Sequence, residues 1–192
     1  MKKRHVNIPI FIPHLGCPNN CVFCNQRTIS GHGDFKIESV REEIEAALAT
    51  LDGDIEREIA FFGGSFTGID RDLMIALLDL AESYVERGLV GEIRLSTRPD
   101  YIDGEILDIL SRYSVKTIEL GLQSSNDKTA EYIRRGYKTE VYADAVLRLT
   151  LAGIEVITHI IIGLPKDNPV ETTKYAVKCG TNGIKFHLLH IL

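Results

Sequence analysis

Three cysteines, Cys17, Cys21 and Cys24, fall within eight residues of one another in the segment GCPNNCVFC. A fourth, Cys179, is far away in the chain. No secretory signal is visible: the basic start MKKRH leads into an apolar run broken by Pro9 and Pro13. The expected location is therefore cytoplasmic and reducing, where clustered cysteines mean metal or redox chemistry more often than disulfides. Thiolates from one tight loop can meet at a common centre. Three are one short of a closed tetrahedral zinc site or of four-cysteine iron–sulfur ligation. Either another residue completes the set, with His14 or His32 giving a Cys3His zinc site, or one metal position stays open for a ligand.

Such a loop needs a frame to hold it. The chain has 192 residues, a formal net charge of −5, 44% hydrophobic and 26% charged residues. That composition fits a soluble globular domain and excludes general disorder. No apolar stretch approaches the roughly 18 residues of a membrane span. The mild acidity argues against a broad nucleic-acid-binding face. Six short β-branched apolar runs recur, at residues 6–12, 59–62, 93–97, 117–123, 156–162 and 184–191. Helical patterns separate them. Ser39-x-x-Glu42 reads as a capping box opening a helix with Val40, Ile44, Leu48 and Leu51 inward. Asp70 reads as the cap of a second, which buries Leu73, Leu77 and Leu80 and stops at Gly88. Others start near residues 103, 126, 139 and 169 and end near 113, 136, 153 and 180. Unbroken strand–helix alternation implies parallel strands with right-handed crossovers. Six units predict an α/β fold, an open, partial (β/α)6 barrel of the TIM type in a single domain over residues 1–192.

Alternation within the strands divides outside from inside. Ile93, Leu95 and Thr97 share one face; Arg94, Ser96 and Arg98 share the other. Ile118, Leu120 and Leu122 oppose Thr117, Glu119, Gly121 and Gln123. The apolar faces should meet the helices, leaving the polar faces, with His159, Lys185 and His187, in the lumen. Charges there are costly unless they meet each other or a polar ligand. Arg94 and Glu119 are expected to form a buried ion pair at equal depth. The unusual motifs follow the strands: GCPNNCVFC, FFGGSFTG, STRPDY, GLQSSND and GLPKDNP. They would gather at the carboxyl-end rim, where parallel barrels build active sites. Cys179 falls at the opposite rim as a small buried side chain.

The spacing Cys17-x3-Cys21-x2-Cys24 with Phe23, followed after the second strand by Gly63-Gly64-Ser65, resembles the radical S-adenosylmethionine (SAM) enzymes. The remaining motifs are similar to the subgroup of the elongator catalytic subunit and oxygen-independent coproporphyrinogen oxidase. The resemblance spans about residues 8–190. It implies a [4Fe–4S] cluster on Cys17, Cys21 and Cys24, with the fourth iron open to the amino and carboxylate groups of SAM. It also implies reductive cleavage of SAM to a 5′-deoxyadenosyl radical that takes hydrogen from a substrate the sequence does not name. A flavodoxin- or ferredoxin-like reductant is implied as partner, with no membrane. Carried over residue by residue, Gly63, Gly64 and Ser65 meet the SAM amino group and Phe23 lies near the adenine. Ser96 and Gln123 lie at the ribose, and Arg135 pairs with the SAM carboxylate. His159 stands where the porphyrinogen branch has a ribose-binding aspartate, and Arg98 faces substrate. Against that branch the chain is expected to lack a C-terminal extension. The rival readings are a zinc module without enzymatic activity and a radical SAM core that does not turn over.

Overall fold

The computed structural model describes residues 4–12, 16–17, 21–24 and 35–189. His14, His32 and His190 lie outside them. Six strands, β1 (Arg4–Ile12), β2 (Ile55–Gly63), β3 (Glu92–Thr97), β4 (Val115–Gln123), β5 (Glu155–Ile162) and β6 (Gly183–Leu188), form one sheet in chain order. Every neighbouring pair is parallel. β1 and β6 are its edges, so the barrel stays open, as the six-unit count predicted. The helices are α1 (Ile37–Leu48), α2 (Arg71–Glu86), α3 (Gly104–Leu110), α4 (Asp127–Tyr132), α5 (Thr139–Leu151) and α6 (Pro169–Cys179).

The core lies between the outer face of the sheet and these helices. Ile8, Ile10, Ile59, Phe61, Ile93, Leu95, Ile118, Leu120 and Val156 are buried there with Met74, Leu77, Tyr84, Tyr142 and Leu149. This is the face that period-two alternation assigned outward.

Helix starts follow side-chain oxygens that take up orphan amides. Asp70 accepts from Leu73 N at 3.1 Å, Asp103 from Ile106 N at 2.8 Å, and Asn168 from Val170 N at 3.1 Å. The capping box at Ser39 did not form. α1 begins at Ile37, and Ser39 Oγ donates instead to Lys36 O at 2.7 Å. Ile37 packs against the core, so burial moved the helix start ahead of the local cap. Leu51 also packs there, but beyond the end of α1. α4 stops at Tyr132, short of Gly136, because Arg134 and Gly136 both turn to positive φ.

β2 starts four residues earlier than its apolar run, and brings Glu58 into the sheet. Two irregularities shift the register, between Ile93 and Arg94 and between Gly121 and Gln123.

Candidate active site at the carboxyl-end rim

Two glycines let the cysteine loop dock on the barrel. A Cβ on Gly16 would stand 2.0 Å from Ser65 O, and one on Gly63 (φ +114°) would stand 2.1 Å from Ile12 O. Only glycine permits such contact between backbones. On the other side, Val22 N donates to Ile133 O at 3.2 Å and Cys21 Sγ to Arg134 O at 3.8 Å. The loop is thus clamped between the end of β2 and the end of α4.

The clamp brings Cys17, Cys21 and Cys24 onto one cavity of about 140 Å³. The predicted Phe23, Gly63, Gly64, Ser96, Arg98, Gln123, Arg135 and His159 line it too. Ser65 does not. Its hydroxyl is hydrogen-bonded to Thr97 Oγ1 at 2.8 Å and accepts from Arg98 N at 3.3 Å, tying the ends of β2 and β3 together. Thr97 and Gly121 line the cavity without having been predicted. All four cysteines are outside disulfides, and Cys179 sits at the far end of α6. A wider hollow of about 510 Å³ lies at the opposite rim, against His5, Glu58 and Glu92; no cysteine reaches it.

Arg135 is 5% exposed rather than solvated at a helix end. Its Nη1 donates to Cys21 Sγ at 3.6 Å, its Nη2 to Gly121 O at 2.8 Å, and its Nε to Tyr137 Oη at 3.1 Å. Burial works against the charge, but Tyr137 and Cys21 outweigh it and hold the guanidinium protonated. Burial also raises Tyr137, which stays a phenol and donates to Gly121 O at 2.6 Å. Arg98 is forked onto Asp100 at 2.9 and 2.8 Å, and both guanidinium groups lie over the Tyr137 ring. Tyr137, absent from the sequence reading, thus packs the two arginines; its one signal was its place two residues after Arg135. Burial raises the Cys17 thiol, and the nearby Arg98 and Arg135 offset only part of that rise.

Gln123 ends β4 at φ +70°, a strained position for a side chain of this size. Its Oε1 is buried without a hydrogen-bond partner among the described residues, as is Arg98 Nη1. A Cβ on Gly121 would stand 3.0 Å from Gln123 Nε2 and 3.2 Å from Arg135 Nη2, so this glycine admits both side chains.

Beneath the cavity the lumen carries a chain of charged and imidazole side chains, with one residue from each strand. His5 meets Glu58 at 3.0 Å, and Arg94 meets Glu58 at 2.6 Å and Glu119 at 3.2 Å. Glu119 also meets His159 at 2.6 Å and Lys185 at 2.9 Å. The expected Arg94–Glu119 pair is present, but not at equal depth. Arg94 pairs in register with Thr117, and Glu119 with Ser96, so the arginine reaches up by one side-chain length. Its shorter bond goes to Glu58, which sequence reasoning missed. Burial pushes Glu119 up, yet His159 and Lys185 together bring it down to about 2. Burial raises Glu58, and it lowers His187 with help from His159 and Lys185.

An open six-stranded parallel barrel with three cysteines on one cavity at its carboxyl-end rim has the architecture of an α/β-barrel enzyme. The profile of the radical SAM superfamily matches residues 11–176, and the chain belongs to that family. Its members are enzymes that use a [4Fe–4S] cluster and SAM. YtqA of Bacillus subtilis is 32% identical over 200 residues, covering 92% of this chain and 59% of YtqA. The chain spans about three fifths of the length of its curated relatives of this kind. Among solved structures, Escherichia coli coproporphyrinogen III oxidase HemN superposes with a TM-score of 0.70 at 18% identity, over 100% of this chain and 45% of HemN. Elp3 of Methanocaldococcus infernus superposes with 0.69 at 16%, over 98% and 46%. These two are the branches the sequence motifs resembled, and at such identity they speak for the fold alone. Among the described residues no helix is long and apolar enough to cross a membrane.

Proposed function

We propose that the chain is a radical SAM catalytic core whose cluster is held by Cys17, Cys21 and Cys24 and whose SAM lies in the cavity beside them. The supporting observation is that three thiols, a buried cation and the amide oxygen of Gln123, unpartnered among the described residues, share one small cavity. The donor set suits the group. Three thiolates leave one position of an iron–sulfur cluster unfilled, and Gln123 Oε1 would accept from a hydroxyl. When bound, the cluster would pass one electron from the external reductant to the sulfonium of SAM, whose carbon–sulfur bond would break to release methionine and a carbon-centred radical able to take hydrogen from substrate.

The protein's share is placement and exclusion. Arg135 is a fixed positive charge for a carboxylate. The Gly63–Gly64 backbone offers polar groups that no side chain screens. Phe23 packs with Ile133, Ile161 and Leu164 into an apolar wall at the rim, suited to a flat purine. The electron donor is proposed to be flavodoxin- or ferredoxin-like.

The test is anaerobic reconstitution followed by iron and sulfide analysis, with about four of each per chain expected for a [4Fe–4S] centre. Dithionite and SAM should then yield 5′-deoxyadenosine. Alanine at Cys17, Cys21 or Cys24 should abolish the brown chromophore, and Cys179→Ala should keep it. Stoichiometric zinc in place of iron would sink the reading.

A further inference from the structure

We propose that Glu119 is a positioning residue of the cofactor site: it fixes His159 with the proton on Nε2, so that Nδ1 accepts a hydrogen bond from the ribose of SAM. The proposal rests on the functional reading above and adds a residue that lies outside the cavity.

The argument starts from the carboxylate. Glu119 is 2% exposed, and its two oxygens are shared among three donors: Arg94 on Oε1, His159 and Lys185 on Oε2. A carboxylate held ionised by such donors can only accept. Nε2 of His159, 2.6 Å away, must therefore carry the hydrogen. In the neutral imidazole that leaves Nδ1 as a lone pair. Nδ1 makes no hydrogen bond among the described residues, and His159 lines the cysteine cavity.

The ring is held in place as well as in tautomer. Gly121 is the register partner of His159, whereas Glu119 pairs with Ile157, one side-chain step deeper. Glu119 therefore grips the ring from below. From the β6 side the His187 ring packs at 4.8 Å and 54° to it. Glycine at position 121 puts no side chain of its own opposite the ring and admits those of Gln123 and Arg135 at that point. Within the same cavity, Gln123 presents a second unpartnered acceptor from the end of β4. Two fixed acceptors on adjacent strands suit a vicinal diol, since each hydroxyl donates one hydrogen. Acting on a ligand through an intermediate imidazole is how outer carboxylates set the tautomer of histidines elsewhere.

The experiment uses the reconstituted protein with its cluster in the oxidised, diamagnetic state. Six histidines are few enough for His159 to be assigned in 15N ring spectra by its loss in His159→Asn. Wild type should show the Nε2–H tautomer for the neutral ring. Glu119→Gln, which keeps shape but offers one oxygen to three donors, should show both tautomers. SAM affinity, measured calorimetrically, should fall about tenfold in Glu119→Gln and in His159→Asn, the worth of one hydrogen bond. The double variant should fall no further, because the two act as one unit. A melting curve identifies any variant that has lost its fold, and Lys185→Met, which frees Oε2 for His159 alone, should retain the wild-type tautomer. An Nδ1–H tautomer in wild type, additive losses, or unchanged SAM affinity in Glu119→Gln would overturn the positioning role. A wild type that binds no SAM would instead defeat the functional reading and the ribose contact with it.

Discussion

Glu119 shows how one side chain can be both buried and ionised. Taking a carboxylate out of water costs several kcal/mol, and donors from three strands recover it. Its partners are then left exposed to its loss. Glu119→Leu takes one carboxylate from Arg94, which keeps Glu58 at 2.6 Å, and leaves His159 and the half-exposed Lys185 without theirs; chemical denaturation should show a destabilisation of about 1.5–3 kcal/mol. The pH dependence has a definite sign. The folded carboxyl titrates near 2 against an ordinary 4.5. Its contribution is therefore complete above about 4.5 and is lost as pH falls toward 2. Glu58, raised by burial, works in the opposite sense, since protonating it relieves a cost. The denaturant midpoint should fall less steeply with acid in Glu119→Leu than in wild type. An equal slope would remove Glu119 from the acid response. This carboxylate was legible in the sequence because alternation put it opposite Ile118 and Leu120. Glu58 was not: Glu56, Arg57 and Glu58 carry no apolar signal, and only pairing with β1 and β3 makes them a strand.

Among the elements, the loop that bears the cysteines depends on close backbone contact more than on its own side chains. Gly16→Ala puts a methyl group 2.0 Å from Ser65 O, and neither backbone can give way without moving the loop. The variant should reconstitute with less iron per chain while the barrel melts as before. Full iron loading would show that the loop can dock elsewhere. The helix caps divide in the same way between local and tertiary causes. Asp70→Ala should cost about 1 kcal/mol in a denaturation experiment, because Asp70 takes up Leu73 N. Ser39→Ala should cost less than about 0.5 kcal/mol, because Ser39 caps nothing. Both looked alike in the sequence. The difference lies in Ile37, whose burial no local pattern announces. The tie between Ser65 and Thr97 was equally hidden, since two hydroxyls 32 positions apart become partners only after two strands pair.

For the molecule as a whole, strand count, order and the choice of active rim followed from alternation and from the handedness of crossovers. What those rules omit is how tightly the sheet rolls. In a closed barrel the hydrogen-bonded ladder returns to its start and fixes the radius. Here β1 and β6 share no ladder, so the backbone leaves curvature free. The lumen chain from His5 through Glu58, Arg94 and Glu119 to Lys185 supplies the missing constraint, drawing the inner edges together like a cord threaded through six eyelets. Glu58→Gln cuts that cord near one end. Spin labels carried on non-cysteine side chains at positions 4 and 186 should then report a longer β1-to-β6 distance by pulsed dipolar spectroscopy. An unchanged distance would assign the rolling to the helices alone. On that expectation the gap between the first and last strands is an electrostatic quantity, set by the charges that line the lumen rather than by the backbone ladder.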